Sequence, residues 1–209
     1  MNRRAMAQPF LTKPFCALAA STLALAIPAA CSAPPPEAPL AGAAIGGPFT
    51  LTDQTGKTVT WQSLRGRWVA IYFGYTFCPD ACPTDVGALM RAVTAFAKAD
   101  PDRAAKLQPV FVSVDPARDT PARMGEFAAA FDSGKGPKLL ALTGTSSQVA
   151  QATKAFRVVA AKGPESAGGY LMDHSRVVYL MDPDGKPIDM VPVDKGPDAA
   201  NATLQKWVR

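Results

Sequence analysis

Trp68-Val69-Ala70-Ile71-Tyr72-Phe73 is an unbroken apolar run, and it closes on Gly74. Its length and its aromatic and β-branched content suit a strand buried on both faces. Such a strand needs cover above and below, so the chain around it must supply helices. Val86, Leu89, Met90, Val93 and Phe96 mark one face of a helix that follows, with Pro83 and Asp85 placed for its first turn. Val110–Val114 reads as a second buried strand. Thr120 caps a helix with Pro121 at its first position, and Met124, Phe127, Ala128 and Phe131 form its apolar face. Leu139–Leu142 is a third strand. Thr145 and Gln148 form a capping box ahead of Val149, Thr153 and Phe156.

Two hairpins complete the pattern. Phe49–Thr52 and Lys57–Trp61 flank Asp53-Gln54-Thr55-Gly56 near the start. Val177–Met181 and Ile188–Val191 flank Asp182-Pro183-Asp184-Gly185 near the end. A short helix through Leu204 and Trp207 follows. Strands alternating with helices predict an α/β fold, a central mixed sheet with helices on both faces and an N-terminal β-hairpin.

The first 47 residues read differently. Arg3, Arg4 and Lys13 precede an apolar stretch from Phe15 to Ala30 that is short for a membrane span, so residues 1–30 read as a signal peptide. Pro28-Ala29-Ala30-Cys31 resembles a bacterial lipobox, which makes Cys31 the candidate lipidation site, with ordinary cleavage nearby as the alternative. Residues 31–47, rich in Pro, Ala and Gly, are expected to be a tether, leaving 48–209 as the folded domain. The formal charge is +5, from 22 basic and 17 acidic residues. Three of the basic residues lie in the leader, and the remaining 19 against 17 form no Lys/Arg run that could track a phosphate backbone. No nucleic-acid partner is expected.

The chain has four cysteines. Cys16 falls in the leader and Cys31 at the cleavage site, so only Cys78 and Cys82 belong to the domain. One close pair is no disulfide framework. The pair lies in a loop between a buried strand and a helix N-terminus, where a thiolate is favoured. Its spacing leaves both a disulfide and chelation of one ion open. As small apolar fillers the two would sit on an apolar face, whereas here both flank loop prolines. Thioredoxin-like proteins hold their working cysteines at this place, usually one residue closer together. Such proteins of the ordinary redox type carry a proline just before the final hairpin. This chain has Asp173-His174-Ser175 there, and His174 is its only histidine. Three ligands fall short of structural zinc, which wants four. Two thiolates and an imidazole suit copper(I) and copper(II). Met90, Met124, Met172, Met181 and Met190 are scattered and read as core or surface. A thiol peroxidase would want a proline shortly before the reactive cysteine, and none precedes Cys78 in its strand or loop. Residues 160–169 read as a surface loop, close enough to His174 for the histidine to swing away and release a metal.

Three segments, GYTFCPDACP, SVDPARDTP and DHSRVVYLMDPDG, resemble the signature segments of the Sco/SenC family, in order, within residues 48–209. The resemblance implies a thioredoxin-like fold, a membrane anchor, and copper held by Cys78, Cys82 and His174. It implies a metallochaperone, not an enzyme, at the periplasmic face of the membrane. Its expected partner is subunit two of cytochrome c oxidase or another copper-accepting protein. The alternative is a thiol-disulfide oxidoreductase that uses the Cys78–Cys82 disulfide to keep the oxidase's copper-site cysteines reduced. Asp80 and Asp115 match family acids near the site, and Asp173 adjoins the histidine. Two departures stand out. Ala81 lies where Ile or Val is common, and a lipobox replaces the usual membrane helix. If Cys31 is lipidated, the mature protein partitions with membranes and Cys31→Ala changes its processing. A wild-type protein free in the periplasm, with an N-terminus other than residue 31, contradicts this.

Overall fold

The buried strand expected from the apolar run is β3 (Trp68–Gly74) in the computed structural model, which describes residues 37–165 and 169–209, and all seven of its residues are buried. Around it the chain runs through β1 (Thr50–Asp53), β2 (Thr58–Thr60), α1 (Ala81–Ala99), a short α2 (Pro101–Ala104) and β4 (Leu107–Ser113). It continues through α3 (Pro121–Ala129), β5 (Leu140–Thr143), α4 (Ser146–Ala155), β6 (Ala160–Lys162) and β7 (Met172–His174). It ends with β8 (Val178–Met181), β9 (Pro187–Met190) and α5 (Pro197–Trp207). Seven strands form one mixed sheet in the order β2-β1-β5-β4-β3-β8-β9. β3 pairs with β4 in parallel, Tyr72 opposite Phe111, and with β8 antiparallel, Ile71 opposite Tyr179. The signal peptide, Cys31 and residues 31–36 of the expected tether lie outside the described residues.

Strand alternation assigns the helices to faces. Tyr72 hydrogen-bonds Asp85 of α1, its neighbour Phe111 packs against Phe127 of α3, and α1 packs on α5. The next residue of β3, Phe73, points the other way and meets Phe156 at the end of α4, beside Phe49 and Trp61. Helices therefore cover both faces, as expected from the sequence. The helix starts are those read from the capping residues. Thr120 accepts from the N–H of Arg123, and Thr145 and Gln148 close a reciprocal box. The final hairpin turns on Gly185 at φ +69°, a conformation glycine adopts without strain.

Two readings of the sequence are corrected. Residues 38–47 do not hang free: Leu40 N–H donates to the Ile188 carbonyl of β9 and Gly46 N–H to the Ala155 carbonyl. Leu40 and Ile45 pack on the core. The folded unit thus begins about ten residues before 48, because a chain of small residues and prolines can lie flat on a surface that supplies apolar cover and backbone acceptors. Residues 160–169, read as a loop, begin with β6, which pairs antiparallel with β7 as a ribbon outside the main sheet, Ala160 opposite His174.

Trimming tests the boundary. A chain starting at residue 48 should be less stable than one starting at 37 by about 2–3 kcal/mol, the contribution of two partly buried aliphatic side chains, each worth about 1–1.5 kcal/mol. Urea denaturation midpoints measure it, and equal midpoints refute the docking.

Candidate metal centre

The centre is built where β3 stops. At Gly74 an added Cβ would stand 3.0 Å from Cys82 Sγ and 2.8 Å from the Tyr72 ring, so glycine is the residue that lets the sulfur reach the strand end. The loop then turns back, Cys78 N–H donating to the Tyr75 carbonyl at 3.3 Å. Its start is fixed by Asp119, a buried carboxylate that accepts from Thr76 N–H at 3.2 Å, Thr76 Oγ1 at 2.6 Å and Ser113 Oγ at 2.6 Å. Burial raises the Asp119 carboxyl above the usual range, although the hydrogen bonds from Ser113 and Thr76 oppose it.

Cys82 sits in the first turn of α1, fully buried, and its N–H donates to Cys78 Sγ at 3.2 Å. Asp80 holds the N-cap position, but its carboxylate makes no cap bond there. The Cys78 sulfur thus receives one of the helix N–H groups that lack a partner within the helix. His174 arrives from the end of β7. Its Nε2 lies 3.2 Å from Cys82 Sγ and its Nδ1 3.2 Å from the Ser175 carbonyl. Burial pushes the Cys82 thiol up to about 12, and burial holds His174 below its usual value. A protonated thiol beside a neutral imidazole fits S–H donating to Nε2, with Nδ1–H on the Ser175 carbonyl. The rings of Tyr72 and Tyr75 present at 90° and 88° to the imidazole, with centroids 6.0 and 5.8 Å away.

Ligand atoms of Cys78, Cys82 and His174 all lie within 4.8 Å of one another, and both cysteines are free thiols. Among the described residues this is the group of three or more such side chains that could hold a metal ion. Two soft thiolates and one imidazole suit an ion that accepts low coordination numbers. The three acids named from the sequence take different places, Asp80 between the two cysteines at the start of α1 and Asp173 beside His174 at the end of β7. Asp80 and Asp173 are exposed. Asp115 is buried, accepting from Tyr170 Oη at 2.8 Å and from Arg118 Nε. The acid that meets the site's surroundings is Asp85, one turn after Cys82, which accepts from Tyr72 Oη at 3.0 Å and from Arg176. Sequence reasoning gave Asp85 only to the helix start. Its spacing from Cys82 is the signal that could have found it.

The SCO1/SenC family model matches residues 37–209. Protein SCO1 homolog 1, mitochondrial, of Arabidopsis thaliana is 42% identical over 149 residues, an alignment covering 71% of this chain and 42% of that one. The structure of Bradyrhizobium japonicum ScoI with copper bound is similar at TM-score 0.66 and 42% identity, covering 78% of this chain and 99% of that chain. BsSco, a member of the Sco family of cytochrome c oxidase assembly proteins in which a disulfide switch has been identified, is similar at TM-score 0.57 and 30% identity, covering 76% of this chain and 90% of that chain. The chain spans about half the length of the curated relatives it matches.

The buried thiol has a consequence for stability. Folded Cys82 keeps its proton up to about pH 12, whereas the unfolded chain loses it near 9.0. Its contribution is therefore complete below pH 9 and is lost as pH rises toward 12. Denaturation of the reduced, metal-free protein between pH 8 and 10 should show falling stability, and Cys82→Ala should flatten that slope. An equal slope in the variant contradicts the burial argument.

Proposed function

The chain belongs to the SCO1/SenC family, and on that premise we propose that it is a copper metallochaperone whose cargo is held by Cys78, Cys82 and His174. The observation that carries the reading is the meeting of these three side chains, from two distant segments, within 4.8 Å. Copper(I) takes two thiolates and an imidazole, the soft donors it prefers, and copper(II) accepts the same set. Loading displaces the Cys82 proton, so acid opposes binding. Half-buried Cys78 gives an incoming thiolate of an acceptor a way in, while buried Cys82 holds the ion during exchange. The protein acts as a carrier and turns over no substrate.

The acceptor we propose is subunit two of cytochrome c oxidase or another copper-accepting protein. The support is the kinship with BsSco, itself a member of a family of oxidase assembly proteins. We place the carrier at the periplasmic face of the membrane, exported by the leader and held by a lipid on Cys31. Among the described residues no helix is long and apolar enough to cross a membrane. A thiol-disulfide oxidoreductase would use Cys78 and Cys82 alone and would leave the 3.2 Å contact of His174 without a role.

Binding, redox and cellular measurements test the carrier. The reduced protein should bind one copper(I) per chain. A Cys78–Cys82 disulfide should abolish binding, and reduction should restore it. His174→Ala should weaken binding by more than the roughly 10- to 100-fold that outer-shell partners command, yet leave reduction of a model disulfide intact. In cells with limiting copper that variant should assemble the oxidase poorly, with partial recovery on added copper. Normal oxidase activity at limiting copper would overturn the carrier reading.

A further inference from the structure

Arg176 follows His174 by two residues, and Asp85 follows Cys82 by one helical turn. The two side chains meet as a fork on a carboxylate. Arg176 Nε donates to Asp85 Oδ2 at 3.0 Å and Nη2 to Oδ1 at 2.8 Å. Tyr72 Oη donates to Oδ2 at 3.0 Å, and the same tyrosine ring lies edge-on to the His174 imidazole. Asp85 is 1% exposed, whereas the Arg176 side chain is 52% exposed. The pair thus joins a carboxylate buried under α1 to a guanidinium that reaches solvent.

The need for such a pair follows from the topology. Both cysteines belong to one continuous piece, β3, its loop and α1. His174 belongs to the β6–β7 ribbon, whose two strands form a sheet separate from the seven-stranded one, and all three residues of β6 are exposed. Ser175 N–H to the Val159 carbonyl ties His174 to its own ribbon and not to α1. The pairing of Val178, four residues on from His174, with Tyr72 brings this end of the ribbon to the strand end, and side chains are left to fix how the imidazole meets Cys82. A planar guanidinium with two parallel N–H groups fixes direction as well as distance.

We propose that Arg176 and Asp85 are positioning residues that clamp the histidine-bearing segment onto α1 and so hold the imidazole against Cys82. This inference rests on the copper-site reading above and extends it: the clamp sets how readily the histidine arm leaves the two thiolates. Opening it from the solvent side frees His174 without disturbing the cysteine loop, which Asp119 and the Tyr75 carbonyl hold independently.

The test uses full-length protein with Arg176→Gln and, because an unpaired buried carboxylate can weaken the fold, Arg176→Lys, which keeps a cation near Asp85 and removes the fork. In the metal-free state, 15N NMR relaxation of the His174 ring should report a fixed imidazole in the wild type and a mobile one in both variants. Copper(I) affinity against a competing chelator should fall about tenfold in Arg176→Gln. Adding Arg176→Gln to His174→Ala should produce no further loss. A folded variant with a fixed His174 ring refutes the clamp, and so does an Arg176→Gln effect that persists in full without His174. The ring measurement needs no copper, so a wild type that binds none would sink the chaperone reading while the clamp is judged separately.

Discussion

Cys82 Sγ rests against the backbone at Gly74, where a methyl group would have no room, and it is shut off from water. Three properties of the centre depend on that seat. The sulfur keeps its proton, because a buried thiolate without a partner is unfavourable. Its S–H finds an imidazole that burial keeps neutral. The seat also sets the start of α1, so that Cys82 N–H points at Cys78 Sγ at 3.2 Å. An incoming cation replaces the proton at the Cys82 sulfur, and it gains two more donors already within reach.

The fold explains how donors 92 residues apart come together. β3 lies between a parallel and an antiparallel neighbour, so the loop after it opens at the same end of the sheet at which the chain re-enters through β8. His174 lies just before that return. Tyr72 connects the pieces: it belongs to β3, bonds Asp85 on α1 and faces the imidazole edge-on. Asp119 does the corresponding work for the loop by tying Thr76 to Ser113 at the end of β4.

Much of this was legible in the sequence because it is local. The continuous apolar run gave β3, Thr120 and Thr145 gave two helix starts, and Asp182–Gly185 gave the last hairpin. The cysteine pair and the lone histidine stood out by residue type and place. What escaped was non-local or weakly patterned. The docking of Leu40 and Ile45 depends on a surface built by distant β9 and α4. β6 and β7 have three residues each, β6 is exposed throughout, and the half-buried Met172 and His174 of β7 are too few to show a period. Asp85 and Arg176 are 91 residues apart, and neither announces the other. The acids chosen from motif position, Asp80, Asp115 and Asp173, were near the site in sequence but turn to solvent or to Tyr170 and Arg118.

The central claim is that one copper ion is held jointly by two sulfurs and one imidazole of a single chain. X-ray absorption at the copper edge, on reduced full-length protein loaded with one equivalent of copper(I), addresses that donor set directly. The account predicts two sulfur scatterers and one imidazole nitrogen per copper, with the imidazole signal missing in His174→Ala. A first shell of sulfur alone in the wild type, or a copper–copper distance marking a cluster shared between chains, would contradict it.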